Sequence, residues 1–189
     1  MAVAVSGVQV ELREVILRDK PPELVEASAK ATVPVLVLPD GVVIDESLNI
    51  VRWALGQNDP EGWLAGDAQD LIVQNDEPFK AALDRFKYPH RYELENGAQH
   101  RDEGLAIVAQ LNTRLCETAF LSGETRGITD IAIIPFIRQF AATDQAWFDA
   151  QPLPHIHRWL GQHLSSELFA SIMLRYPQWK SGDVATVFP

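Results

Sequence analysis

Thr32-Val33-Pro34-Val35-Leu36, followed by Asp45-Glu46-Ser47, is the stretch that decides how this sequence folds. Proline gives no hydrogen to a sheet ladder, so Pro34 marks the opening of a strand rather than its middle. Such a position often carries a special X-Pro bond, including the cis form. A cis turn here leaves the backbone N–H and C=O of Val33 facing outward. They can then pair with an extended peptide as an added strand would. The plain alternative is an ordinary edge-strand proline. Val33 to Leu38 reads as a short apolar strand, Pro39-Asp40-Gly41 has strong turn chemistry, and Val42-Val43-Ile44 returns as the hairpin partner. Ser47 then stands at the start of a helix, where free N–H groups and the helix dipole favour a carboxylate. Glu46 beside it suits an ammonium. Together they fit an α-amino-acid head group, with simple helix capping by Asp45 and Ser47 as the alternative.

Upstream, Ala2 to Ser6 has the character of a last helical turn stopped by Gly7. Gln9 to Ile16 is β-rich and partly alternating, and reads as a strand. Pro22 is placed to open a short helix through Glu23 to Ala29. Downstream, Asp45 to Leu55 has helical periodicity with Gly56 as a stop. A stretch rich in Asp, Gly and Pro follows, and beyond it every long segment is helical by period. Leu71 to Phe86 is kinked or restarted at Pro78. Leu105 to Leu115 forms another helix. Ile128 to Phe140 is apolar on nearly all sides, which predicts a central buried helix. Ile156 to Leu164 and Phe169 to Arg175 complete the set, and the tail from Lys180 has little patterning. The division is therefore residues 1–57 as a small α/β domain, 58–66 as linker, and 67–189 as an all-helical domain.

The bulk composition narrows the function. The 189 residues carry 16 Lys+Arg against 26 Asp+Glu, a net charge of −10. This disfavours nucleic acid and anionic membranes as partners, because both need clustered positive charge. A small anion is still compatible, since a local backbone dipole binds one inside an acidic protein. The single cysteine, Cys116, allows no intramolecular disulfide, which fits a reducing, cytoplasmic compartment. The start has no basic region and only a short apolar run, so it is no signal peptide. Ile131 to Ile137 is too short to span a bilayer.

Val33-Pro34, the Pro-Asp-Gly hairpin and Glu46-Ser47, in this order, resemble the glutathione-binding half of the glutathione transferase family. Residues 10 to 55 look like strand two through helix three of its thioredoxin-like domain. Gly127-Ile128-Thr129-Asp130-Ile131-Ala132 is similar to the N-capping segment of its sixth helix. Gly127 stands there at the usual Ser/Thr cap position, and Asp130 is kept. The remnant before Gly7, with Lys87-Tyr88 and Arg91-Tyr92, resembles the bacterial cysteine-type (omega-like) members most. The fold class this implies is an α/β thioredoxin-like N-terminal domain plus an all-α C-terminal domain.

The resemblance implies glutathione as co-substrate. The Val33 backbone at Pro34 would bind its cysteinyl part, Glu46 and Ser47 its γ-glutamyl part, and Lys30 its glycyl carboxylate. It also implies thiol transfer or conjugation to a small electrophilic or disulfide co-substrate, and a homodimer, since members often form one. Phe86, Tyr88 and Arg91 are candidates for the hydrophobic co-substrate pocket, which the family places between its domains. At helical spacing an aromatic row is otherwise core, and Arg91 otherwise a solvated charge.

In that family the catalytic Cys, Ser or Tyr follows strand one, at or before the start of helix one. Met1 falls near the end of that helix, so this chain offers no catalytic residue, and Ser6 reads as a polar terminator. The strand at Gln9 to Ile16 is expected to keep an unpaired edge, costly if buried and prone to aggregation if exposed. A translation start assigned too late, at an internal Met, explains this. A genuine truncation repaired by rearrangement or dimerisation is the alternative. A non-catalytic binding or interaction module on the same fold is the second functional reading. His155 and His157 point to different faces of a helix and make no shared metal site.

Overall fold

A computed structural model describes residues 1–189. The chain divides into two compact units. One comprises Met1–Glu61 with Leu168–Pro189, and the other Gly62–Glu167.

The first unit is a small α/β assembly. It begins with α1 (Ala2–Ser6), ended by Gly7 at φ 68, a left-handed conformation that glycine adopts without a Cβ penalty. Ser6 is buried, and its Oγ donates to Val3 O and accepts from Val8 N, which makes it the expected polar terminator. Strand β1 (Val10–Glu11) and α2 (Pro22–Ala27) follow. Pro22 sits at the first turn of α2, where the missing N–H costs nothing. Strands β2 (Val35–Val37) and β3 (Val43–Asp45) form an antiparallel hairpin with Leu36 opposite Ile44. Its turn is closed by Gly41 N to Leu38 O at 2.9 Å and by Asp40 Oδ1 accepting from Val42 N at 3.1 Å. Helix α3 (Ser47–Gln57) runs through Gly56, one residue past the expected stop, and buries Ala54 and Leu55.

The second unit is all helical. It holds α4 (Gln69–Gln74), α5 (Lys80–Lys87), α6 (Ala98–Glu117), α7 (Ile128–Thr143), α8 (Gln145–Asp149) and α9 (Pro154–Leu164). A π-helical turn at Asn75–Phe79 joins α4 to α5 and contains Pro78. Proline cannot donate to the ladder, and widening the turn lets the chain continue past it. Helix α7 is the centre: Ile128, Ile131, Ile133, Ile134, Ile137, Phe140 and Ala141 are all buried. The Phe140 ring collects Phe79 and Phe86 at 5.4 Å, Trp147 at 5.9 Å and Phe148 at 6.2 Å between centroids, in tilted or edge-on geometry. Helix α6 reaches this ring through Gly104, where a Cβ would stand 2.7 Å from Phe140 Cε2.

Two expectations are corrected. The predicted strand over Gln9–Ile16 pairs only at Val10–Glu11, and its edge is occupied. The chain returns through α10 (Glu167–Ile172), and β4 (Val187–Phe188) pairs antiparallel with β1, Val10 opposite Phe188. Leu12 N donates to Thr186 O and Trp179 N to Glu14 O, both at 2.8 Å, and Arg13 stacks on Trp179 at 4.5 Å. The tail therefore belongs with the first unit rather than with the helical domain, because its backbone satisfies β1's edge.

Candidate functional site

The turn before β2 and the start of α3 bring together the residues singled out from the sequence. Val33 is 44% exposed, and the Val33–Pro34 peptide is cis. Val33 lies just outside β2, and neither its N–H nor its C=O is taken by another backbone group. Helix α3 starts at Ser47 with no side chain capping it. Its first amides to find partners are Asn49 N and Ile50 N, both on Glu46 O. The Ser47 and Leu48 N–H groups take no backbone partner and stand at the positive end of the helix dipole. Ser47 is exposed, so its hydroxyl can add a donor or acceptor there.

Glu46 occupies the N-cap position with φ 66 and ψ 126. A non-glycine residue in that region stores on the order of 1–3 kcal/mol of strain, and such positions concentrate at binding sites. A second one, Ala31 at φ 46, lies next to Lys30. Lys30 is not free: its Nζ donates to Glu46 Oε1 at 2.8 Å and lies 3.3 Å from Asp45 Oδ2. The Glu46 carboxylate first, and that of Asp45 with it, holds the Lys30 ammonium above its ordinary pKa. The sequence reading missed Asp45 as the second partner of Lys30, and missed Asn49, whose Nδ2 donates to Asp45 O at 3.2 Å. Their only local signal is the adjacent acidic pair Asp45-Glu46. The cluster presents a backbone edge, an uncapped helix start, a hydroxyl and a carboxylate, the functional groups of a small peptide's complement.

The three pocket candidates lie in the helical unit and separate. Phe86 is turned into the core, edge-on to Phe140 and Trp147, because its place on α5 faces α7. Tyr88 follows the end of α5 and lines an open cleft. Arg91 sits on a 3-10 turn, exposed, with its guanidinium 4.1 Å above the Tyr88 ring. Cys116 is on α6 and exposed.

Asp130 anchors the other marked segment. The carboxylate is fully buried and accepts from Trp159 Nε1 at 2.7 Å, Leu121 N at 2.8 Å, and Ser122 N and Gly127 N at 3.1 Å. Gly127 has no side chain to return the bond, so only the Asp half of a capping box is formed. Burial pushes this carboxyl up, and the surrounding donors more than offset it, leaving its pKa below the ordinary aspartate value. His163, also fully buried, places Nε2 4.0 Å from Asp130 Oδ1, beyond hydrogen-bond reach.

The chain is similar to known proteins over most of its length. The glutathione S-transferase N-terminal domain profile matches residues 1–55, and the glutathione S-transferase C-terminal domain profile matches residues 80–162. No curated protein sequence matches significantly. Among solved structures, BphK, a bacterial glutathione transferase in a ternary complex, superposes with a TM-score of 0.72 at 19% identity, covering 90% of this chain and 88% of that one. A glutathione transferase from Burkholderia graminis, with two glutathione molecules bound per subunit, gives a TM-score of 0.71 at 19% identity over 90% of this chain and 80% of its own. A class Gtt2 transferase from Vibrio parahaemolyticus gives 0.66 at 22% identity over 90% of both. No helix is long and apolar enough to cross a membrane. With both domain profiles matched in order and the fold shared with these structures, the chain belongs to the glutathione transferase family.

Proposed function

We propose that this protein binds glutathione at the turn before β2 and the start of α3. The Val33 backbone pairs with the cysteinyl residue as an added strand. The uncapped amides at the start of α3 and the Ser47 hydroxyl take the γ-glutamyl carboxylate. Glu46 takes the γ-glutamyl ammonium. Lys30, held beside Glu46, is in reach of the glycyl carboxylate only if its present ion pair yields. The observation that carries this reading is the convergence of Glu46 and Ser47 on a helix start that no side chain caps. Family membership and the glutathione held by the Burkholderia relative support it. A cytoplasmic setting and a homodimer accompany this reading.

The reaction we assign is attack by the glutathione sulfur, as thiolate, on a small co-substrate. With an electrophile, a C–S bond forms and a leaving group departs. With a mixed disulfide, the S–S bond breaks, glutathione takes one sulfur and the other leaves as a thiol. That attack needs a lowered thiol pKa, which a helix N-terminus or nearby donors at the sulfur usually supply; the clamp residues bind the tripeptide and do not supply it. A non-catalytic binding module is the second reading, favoured by the make-up of the clamp: Val33, Glu46, Ser47 and Lys30 bind and orient, and the one cysteine lies in the other unit. Turnover of glutathione with an aromatic electrophile and with a mixed disulfide separates the two. Saturable turnover that falls in a Glu46→Gln variant supports catalysis. Binding with no turnover above the solution rate supports the module.

A further inference from the structure

Lys30 is held by one more carboxylate than the glutathione reading uses. That reading, on which this inference rests, gives the γ-glutamyl ammonium to Glu46. Glu46 Oε1 already accepts from Lys30 Nζ at 2.8 Å. A bound tripeptide therefore brings a second ammonium to the same carboxylate. Like charges a few ångströms apart repel, and one carboxylate neutralises only one of them. The site needs a second counter-charge.

Asp45 is placed to supply it. Its Oδ2 lies 3.3 Å from Lys30 Nζ, on the same ammonium that Glu46 holds. Asp45 is the last residue of β3, opposite Val35 of β2. Its backbone carbonyl accepts from Asn49 Nδ2 at 3.2 Å, in the first turn of α3. The residue is thus tied to the hairpin on one side and to the helix start on the other. Of the two acidic side chains, Asp45 is the less exposed, 36% against 63%. Glu46 is therefore the one an incoming ligand meets first, and Asp45 the one set to keep Lys30. Capping does not account for the Asp45 carboxylate, since no side chain caps α3.

We propose that Asp45 is a positioning residue of this site, which keeps Lys30 when the γ-glutamyl ammonium takes Glu46. Two cations then face two carboxylates. On Asp45 the Lys30 ammonium uses one hydrogen and has two left to offer the glycyl carboxylate. Asp45 acts through Lys30 and touches no part of the tripeptide. Without its charge, Lys30 stays wholly on Glu46 and competes with the ligand for that carboxylate.

The test is a double-mutant cycle on the full chain. Glutathione is titrated by calorimetry into the wild type, Asp45→Asn, Lys30→Met and the double variant. Asp45→Asn should weaken binding by about fivefold, the upper end for an exposed ion pair. In the Lys30→Met background the same change should alter binding by less than about twofold, because no cation remains for Asp45 to hold. A role in shaping the strand end or the helix start would instead weaken binding equally in both backgrounds. Thermal unfolding checks that each variant folds, and Asp45→Ser replaces Asp45→Asn if the latter does not. Equal binding by the wild type and Asp45→Asn, or equal weakening with and without Lys30, overturns the role of Asp45 while the glutathione reading stands. No saturable binding by the folded wild type overturns that reading and this inference with it.

Discussion

Lys30 Nζ donates to Glu46 Oε1 at 2.8 Å across 16 residues of sequence. The side chain assigned to one end of a bound peptide therefore already holds the side chain assigned to the other. Both are largely exposed, so the pair adds little stability. It arranges Glu46 and screens its charge. Because the Lys30 pKa is raised, whatever stability the pair contributes is present below the ordinary lysine pKa and is lost only as pH rises through the raised value. We predict that Glu46→Gln weakens glutathione binding by about tenfold, as expected for loss of a charged hydrogen-bond partner. Lys30→Met should weaken it less than about threefold, since Lys30 is exposed and already paired with Glu46, which leaves it a weak hold on the glycyl carboxylate. Calorimetric titration of the two variants checks the order.

Asp130 is the buried charge on which the start of α7 depends. Replacing it by Ala strands the donors of Trp159, Leu121, Ser122 and Gly127 in the core. We predict a loss of several kcal/mol in denaturant unfolding, since each buried donor left without a partner costs about 1–3 kcal/mol.

The same residue sets an acid limit. Its folded pKa lies below the ordinary aspartate value, so its contribution is complete above the unfolded aspartate pKa of about 3.9 and is lost as pH falls through the lower, folded value. Unfolding free energy should drop below about pH 4, and Asp130→Asn should flatten that drop.

Gly104 lets α6 meet the Phe140 ring. A methyl group would stand 2.7 Å from Cε2, and the ring is held by Phe79, Phe86 and Phe148. Gly104→Ala should cost about 1–3 kcal/mol despite alanine's better helix propensity, because overpacking a fixed core outweighs it. Denaturant unfolding gives the value.

The tail satisfies the edge of β1 through Leu12 N to Thr186 O and Trp179 N to Glu14 O. Removing residues 178–189 should speed amide exchange at Leu12 and at the β1 ladder, while α7 amides stay protected. Unchanged protection at Leu12 would show that the tail is dispensable.

Much of this was legible in the sequence because it was local. The Pro39-Asp40-Gly41 turn, the Gly7 stop and the all-round apolar run of α7 each announce themselves within a few residues. Strand β1 was over-read because β-propensity measures a fit to a pleated surface and not the presence of a partner. Its partner, Val187–Phe188, lies at the other end of the chain in a tail with no pattern of its own. At the site, Glu46 and Ser47 were legible from their place before a helical period. The engagement of Lys30 by Glu46 and Asp45 was not, since a contact between a loop and a helix start leaves no periodic trace. Phe86 was ambiguous for the opposite reason: an aromatic residue at helical spacing reads the same whether it lines a pocket or fills a core.

Isothermal titration of glutathione into this chain and into a Ser47→Ala variant, with circular dichroism confirming that both are folded, tests the central claim most directly. The account predicts saturable binding that weakens by about ten- to hundredfold in the variant, the worth of one hydrogen bond to a charged group. No binding by the folded chain, or equal binding by both, would contradict it.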